Sequence, residues 1–583
     1  MVDKIFFYGL KTNRRLSMEK YFFIAVFFPL FLLMNHSLVA QRDFKGSSMK
    51  VDSICAHKVN YDSEGKILSW YKPGLPGAGY AQVIKLAAQF IKNCPTEPTT
   101  KLKLYMVHAD FDGPNQNKDF YRGTSGTEWM PNPACVFAGF VESLALDYYP
   151  FSGDDSYIAI VRECLDQMLT NGTTPSDWSW ADCPYASANP KSRIYNGATG
   201  WENERRGDGL HCIEPDKVGE LGIAYLKFYE ITGEEKYLNA AINCADALAK
   251  NVRYVSASDK KFATDFSISS PWAFRVNALT GKVIDDYCSN VVDPVRLFDE
   301  LIRIQNRIHL EEGKIKTYRT ASKTAWEWLF AKNGPMKTFI WNGYFEDVPS
   351  DSNRINRIQI TPMETARYIL KHPEKDPNWK VDVPALLHWV ASAFGVEGMD
   401  AIREQTWCFE PMGSHTARYA SICARLYEKI GDEYYKDEAY RFFNFATYMC
   451  EDNGYVWTGP EWSTSWFTDG YGDYIQHFIE GIAAVPGWAP VYENHLLGSA
   501  SIVKKIFYSD NEIIFTTFDD TSAEVLRLRS KPKIIKVNDV IIRELQNLKD
   551  IQSQEGWIWE KLDNGGVLHI KHMDGSRVSI LIY

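Results

Sequence analysis

YEITGEEKYLNAAINCADALA, residues 229–249, reads as a helical hairpin. Gly233 separates two apolar patterns of helical period. Before it, Val218, Leu221, Tyr225 and Phe228 mark one helix face; after it, Tyr237, Ala241, Cys244 and Leu248 recur at i, i+4, i+7 and i+11. A glycine supplies the positive φ that ends a helix. Glu234 and Glu235, just behind it, suit the positive end of the next one. YPFSGDDSYIAIVRECLDQML (149–169) and YEKIGDEYYKDEAYRFFNFATYM (427–449) repeat the plan: an aromatic residue, a Gly-acid turn, then a tyrosine-led helix.

Proline gives a second regularity. Asn132-Pro133, Glu214-Pro215 and Glu410-Pro411 stand 21, 19 and 21 residues before Gly153, Gly233 and Gly431. At the first helical position the missing N–H of proline costs nothing. Thr361-Pro362 opens a degenerate fourth copy. Helix starts are predicted near Ala81, Ala134, Asp155, Asp216, Glu235, Pro294, Thr317, Pro362, Val383, Pro411, Tyr434 and Tyr474, which makes six hairpins. An open solenoid is the alternative architecture, but long aromatic loops between hairpins favour closure into a ring. Past residue 495 the period turns to alternation. KIFYSDNEIIFTTF, AEVLRLRS, KIIKVNDVIIREL and the last 28 residues carry β-branched runs between Asn-Asp, Asn-Gly-Gly and Asp-Gly turns. A small antiparallel β-sandwich over 495–583 is expected to brace the helical part, 41–490.

The 583 residues are 45% hydrophobic and 14% aromatic, enough for a large core. A net charge of −10 without a basic tract argues against nucleic acid as a partner. At the N-terminus, Lys20, the apolar run Tyr21–Met34 and Leu38-Val39-Ala40 describe a secretory signal over residues 1–40, with Met18 a candidate true start. The run is short for a membrane span of about 20 residues, so the mature chain is expected to be exported, periplasmic or secreted, with no span. Eleven cysteines show no zinc spacing. One or two disulfides are compatible with export. No spacing asks for a metal or a cofactor.

If alternate helices line the ring, the loops feeding their N-termini meet at one end. Those loops hold the chain's densest chemistry: residues 121–133, NGATGWENERRGDGLHCIEP (196–215), 341–362, REQTWCFEPMGSH (403–415) and 454–473. Free N–H groups and the positive dipole ends there suit a carboxylate. Asn203, Arg205 and Arg206 are candidates to hold an acidic ligand, with Asp208 beside them. Trp201, Trp407, Trp462 and Trp466 could stack on sugar rings. His211, Tyr344 and His415 are candidate proton carriers. Glu214 and Glu410 stand before prolines, where they cap a helix poorly, so a site role is open to both. Each residue also has a structural alternative: the arginines pairing with Glu202, Glu204 and Asp208, the histidines packing inside the ring, Tyr344 fixing its loop.

The hairpin plan, the Gly-acid turns and the aromatic mouth loops resemble the (α/α)6-toroid carbohydrate-active enzymes, over roughly residues 80–490. That superfamily holds polysaccharide lyases, glucuronyl hydrolases and other glycosidases, and no single family signature is matched. The resemblance implies a mainly α fold, an (α/α)6 toroid followed here by the small sandwich. It implies action on acidic poly- or oligosaccharides. Toroid first and sandwich last resembles the toroid lyases, which act by β-elimination. Elimination by a lyase or dehydratase is therefore the first expectation, with His211 or Tyr344 as base and His415 or Glu410 assisting departure. Hydrolysis by a carboxylate pair drawn from Asp208, Glu214, Asp347, Glu410 and Asp469 is the second. A non-catalytic glycan binder is the third.

Overall fold

The three Gly-acid turns fold alike. In a computed structural model describing residues 52–96, 101–106, 110–112, 133–185, 211–254, 270–288, 290–342, 356–406, 410–460, 464–466 and 470–582, Gly153, Gly233 and Gly431 take φ of 76°, 74° and 72°. Each donates its N–H to a tyrosine carbonyl four residues back, Tyr149, Tyr229 or Tyr427, at 2.7 Å. The helix thus ends with its last carbonyl satisfied and the chain reverses. Both predicted stripes around Gly233 are buried.

Twelve long helices stand among the described residues. They are α1 (Ala78–Lys92), α2 (133–152), α3 (Ser156–Asn171), α4 (Pro215–Thr232), α5 (Glu235–Lys250), α6 (Val292–Arg303), α7 (Glu312–Phe330), α8 (Ile360–Lys371), α9 (Trp379–Phe394), α10 (Gly413–Ile430), α11 (Glu433–Thr447) and α12 (Gly470–Ala484). The even-numbered helices form a closed circuit: α2 packs on α4, α4 on α6, α6 on α8, α8 on α10, α10 on α12, and α12 again on α2. Each odd-numbered helix backs the inner helix before it, and α1 backs α12, so the first and last helices complete the sixth hairpin. This is an (α/α)6 toroid. Burial follows from the circuit. Inner α4 and α12 are buried on nearly all sides, whereas outer α5 and α7 bury one face.

Several boundaries differ from expectation. Pro411 does not open α10, which starts at Gly413; Pro411 is instead bridged in β fashion to Arg403. Within α2, Val141–Tyr148 winds wider than an α-helix, and the Tyr149 N–H reaches the Leu144 carbonyl five residues back. Strands also lie on the rim, where the sequence pattern predicts loops. β1 (Asp110–Asp112) is joined below by a late partner, while β2 (Cys212–Ile213), β3 (Ala273–Asn277) and β4 (Val283–Cys288) form one antiparallel sheet. β5 (Thr464–Trp466) is the partner of β1.

Nine strands follow: β6 (His495–Ser499), β7 (Val503–Tyr508), β8 (Glu512–Thr517), β9 (Ser522–Leu528), β10 (Ile534–Val537), β11 (Val540–Ile542), β12 (Gly556–Lys561), β13 (Gly566–His572) and β14 (Arg577–Leu581). They make two antiparallel sheets, ordered β6-β9-β13-β12 and β7-β8-β14-β10-β11. Ile513, Phe515, Leu526, Leu568, Ile570 and Val578 fill the space between them. The sandwich meets the ring at the C-terminal end of α2. Tyr149 Oη accepts from the Ile506 N–H at 3.1 Å, Tyr508 Oη donates to the Pro150 carbonyl, and His495 stacks on Phe151 at 3.8 Å. The sandwich therefore lies on the side of the C-terminal ends of the inner helices, away from their N-terminal ends.

The predicted signal segment lies outside the described residues, among which no helix is long and apolar enough to cross a membrane. Cys55, Cys94, Cys164, Cys183, Cys244, Cys423 and Cys450 carry free thiols. One glycine pair offers a test of the packing. Gly77, ahead of α1, has φ 78°, and an added Cβ would sit 1.9 Å from the Trp488 carbonyl oxygen; at Gly233 nothing lies within 4 Å. Gly233→Ala is expected to cost about 1–2 kcal/mol, the αL penalty alone. Gly77→Ala adds a backbone clash and should cost at least about twice that in urea unfolding.

Candidate active site

The N-terminal end of the ring is assembled from hydrogen-bonded loops. β2 continues directly from His211 and pairs with β3, so the end of the 196–215 segment is stitched to the segment feeding α6. β1 with β5 joins the segment feeding α2 to that feeding α12. Ile358 bridges Gln405, and the Thr406 N–H donates to the Arg357 carbonyl at 3.0 Å, joining the feeds of α8 and α10. The Gly413 N–H donates to the Thr458 carbonyl at 3.1 Å, which adds the 454–460 turn. These contacts bring the described parts of the mouth loops to the N-terminal side of the inner helices.

His211 sits on this rim, half-buried, with its ring edge-on to Trp178 at a centroid distance of 4.7 Å. Its φ is +60°, a left-handed conformation uncommon for a side-chain-bearing residue. The strain is held by the Ala278 N–H donating to the His211 carbonyl at 2.7 Å. Such outliers gather at functional positions. Glu214, at the cap of α4, makes no capping bond with its side chain; its Oε1 accepts from Arg275 Nε at 2.8 Å, and both residues are buried. The pair ties α4 to the rim sheet.

Glu410 is half-buried, and Gly459 leaves it room: a Cβ there would lie 2.3 Å from Glu410 Oε1. His415, in the first turn of α10, is buried. In the ring order, α4 and α10 are third neighbours in both directions. The residues heading them therefore approach the mouth from opposite sides. Tyr344, Trp201, Asn203, Arg205, Arg206, Asp208, Trp407 and Trp462 lie outside the described residues, and of Trp466 only the strand backbone, paired with Asp110, is described.

Beneath the mouth the ring is filled with charge. On one side Arg418 of α10 contacts Asp473 of α12, donates to His477 Nε2 at 3.2 Å and lies 3.3 Å from Glu364 of α8. Arg367 Nη2 lies 2.7 Å from His477 Nδ1, and its Nε is 3.6 Å from Glu480. On the other side Asn290 donates to Asp293 at 2.7 Å, and its N–H points to Asp216 at 3.5 Å. Arg296 bridges Asp293 at 3.1 Å and Glu142 at 2.6 Å, and Gln476 closes the belt onto Glu142 at 2.9 Å. All six inner helices contribute. Burial pushes Asp216 upward and Asp293 well above the carboxylate range. It also pushes on Glu142, but Arg296 holds that carboxyl down to about 2. The belt fixes the inner helices against one another and carries the floor of the mouth.

Sequence reading missed this belt, although Asp473, Gln476, His477 and Glu480 show it at i, i+3, i+4 and i+7. His477 gives it a pH signature. Burial, then the positive charge of Arg367, hold the imidazole well below its ordinary range. The folded chain resists a proton that the unfolded chain accepts below about pH 6.5, so this stabilisation is present above that pH and is lost as pH falls through it. His477→Gln should flatten the fall of the urea midpoint between about pH 7 and 5; parallel profiles would refute the assignment.

No family model matches the chain, and no curated protein matches it. Among solved structures, it is similar to a D-mannose isomerase at 10% identity, covering 69% of this chain and 96% of that one with a TM-score of 0.47. The cellobiose 2-epimerase from Spirochaeta thermophila matches at 9% identity, covering 70% and 97%, TM-score 0.47. An unsaturated glucuronyl hydrolase specific for heparin matches at 11% identity, covering 70% and 96%, TM-score 0.39.

Proposed function

We propose that the chain is a carbohydrate-active enzyme that binds a uronic-acid-containing saccharide at the ring mouth and cleaves it by β-elimination. The observation that carries this reading is the opposition of His211, leading into α4, to Glu410 and His415, leading into and opening α10. A sugar ring on the axis between them meets a proton acceptor on one side and a donor on the other. The inner helices add their positive ends to the same space, a setting that favours the uronate carboxylate. Arg205, Arg206 and Asn203 are assigned to that carboxylate. With its charge neutralised, the C5 proton becomes removable. His211 takes it, the C4–O bond breaks, the C4–C5 double bond forms, and Glu410 protonates the departing oxygen. Trp201, Trp407, Trp462 and Trp466 are assigned to stacking, and Tyr344 to the support of the base. Export of the mature chain belongs to the same proposal, since polymeric uronates are met outside the cell.

One observation favours a hydrolytic second reading. Asp216 and Asp293, both buried in the first turns of α4 and α6, share Asn290 and are driven toward the protonated form that a general acid needs. The two readings separate in one incubation with uronate-containing oligosaccharides. Elimination gives the ultraviolet absorbance of a new double bond conjugated to the carboxylate. New reducing ends without that absorbance mean hydrolysis and overturn the proposal; binding without turnover means a glycan receptor.

A further inference from the structure

The far end of the ring holds a second polar space. A cavity of about 560 Å³ lies between the C-terminal turns of the inner helices and the β6–β7 region of the sandwich, within the size range of small-ligand sites. Most of its lining charges are matched: Arg425 with Glu480 at 3.0 Å, Lys227 with Glu300 at 2.6 Å, Arg296 with Glu142. Three groups are matched loosely or not at all. Lys371, the last residue of α8, makes no side-chain hydrogen bond among the described residues; its ion pair with Glu480 is long, 3.7 Å, and 43% of its side chain is accessible on the cavity wall. Glu428 of α10, exposed on the same wall, has no hydrogen bond or ion pair among the described residues. Asp147 of α2, also on the wall, has no hydrogen bond or ion pair among the described residues. Burial, with Glu480 nearby, lifts the Asp147 carboxyl well above its usual range.

An ammonium without a hydrogen-bond partner beside a guanidinium suits a carboxylate; a carboxyl in its protonated form suits a hydroxyl or carbonyl oxygen. We infer that this cavity is a second binding site, distinct from the mouth, for a small hydroxy carboxylic acid of the size of one sugar ring. Its carboxylate lies against Lys371 and Arg425 and an oxygen lies against Asp147. The inference does not rest on the reaction assigned to the mouth.

Calorimetric titration of the full chain with D-glucuronate, and with D-glucose as its uncharged counterpart, tests it. Glucuronate is expected to bind saturably and glucose far more weakly. Lys371→Met should weaken glucuronate at least about tenfold, the loss of one charge-assisted hydrogen bond. Ala500→Trp, a change at an exposed position on the cavity wall, should weaken it without removing a charge, and serves if the lysine variant does not fold. Equal affinity for both sugars, or parental affinity in both cavity variants, as binding at the mouth alone would give, would each overturn the inference.

Discussion

His211→Asn is expected to lower kcat on uronate oligosaccharides by about 10²–10⁴, the contribution typical of a positioned general base. Asparagine is the informative replacement because it tolerates the left-handed conformation that His211 holds at φ +60°. The rim should then keep its geometry, including the bond from Ala278. The thermal midpoint should stay near that of the parent, and KM should change far less than kcat, since the imidazole is assigned to the transition state and not to ground-state binding. Glu410→Gln should reduce kcat in the same direction, and most on substrates with poor leaving groups. If His211→Asn turns over normally, the base lies elsewhere at the mouth, and Tyr344 inherits the role.

The second large effect falls on stability. Arg418 is buried between Asp473, Glu364 and His477. Arg418→Met keeps much of the volume but strands two carboxylates in the lumen. Breaking one side of a buried pair commonly costs about 3–5 kcal/mol, and urea unfolding should show a loss of that size. A variant that also carries Asp473→Asn and Glu364→Gln should recover part of it, because the penalty comes from uncompensated charge more than from the missing contact. A single Arg418→Met change that leaves the midpoint in place would mean the belt is wetter and weaker than its burial indicates.

The hairpins were legible because three local rules agree at each turn: an apolar stripe, a glycine at positive φ, and acids heading the next helix. Closure was legible only as a preference for the ring over the solenoid. It rests on α12 meeting both α2 and α1, contacts far apart in sequence. The Pro411 start failed because proline at a loop end reads the same as proline at a first helical turn, and Arg403 takes it into a bridge instead. The rim sheet was passed over because β2 is two residues long and pairs with a segment some sixty residues later. The charge belt was written plainly in α12, yet a polar stripe on a helix ordinarily marks the solvent side. Only the closed ring turns that stripe inward. Of the candidate site residues, the structure describes the side chains of His211, Glu214, Glu410 and His415. It links the first two to the α4 side of the mouth and the last two to α10.

The direct test is a crystal structure of His211→Asn soaked with a uronate-containing oligosaccharide. A sugar ring should lie over the N-terminal ends of the inner helices, between residue 211 and Glu410, with its carboxylate toward the 196–215 loop. An oligosaccharide seated on the sandwich, or on the outer helices away from that opening, would contradict the account.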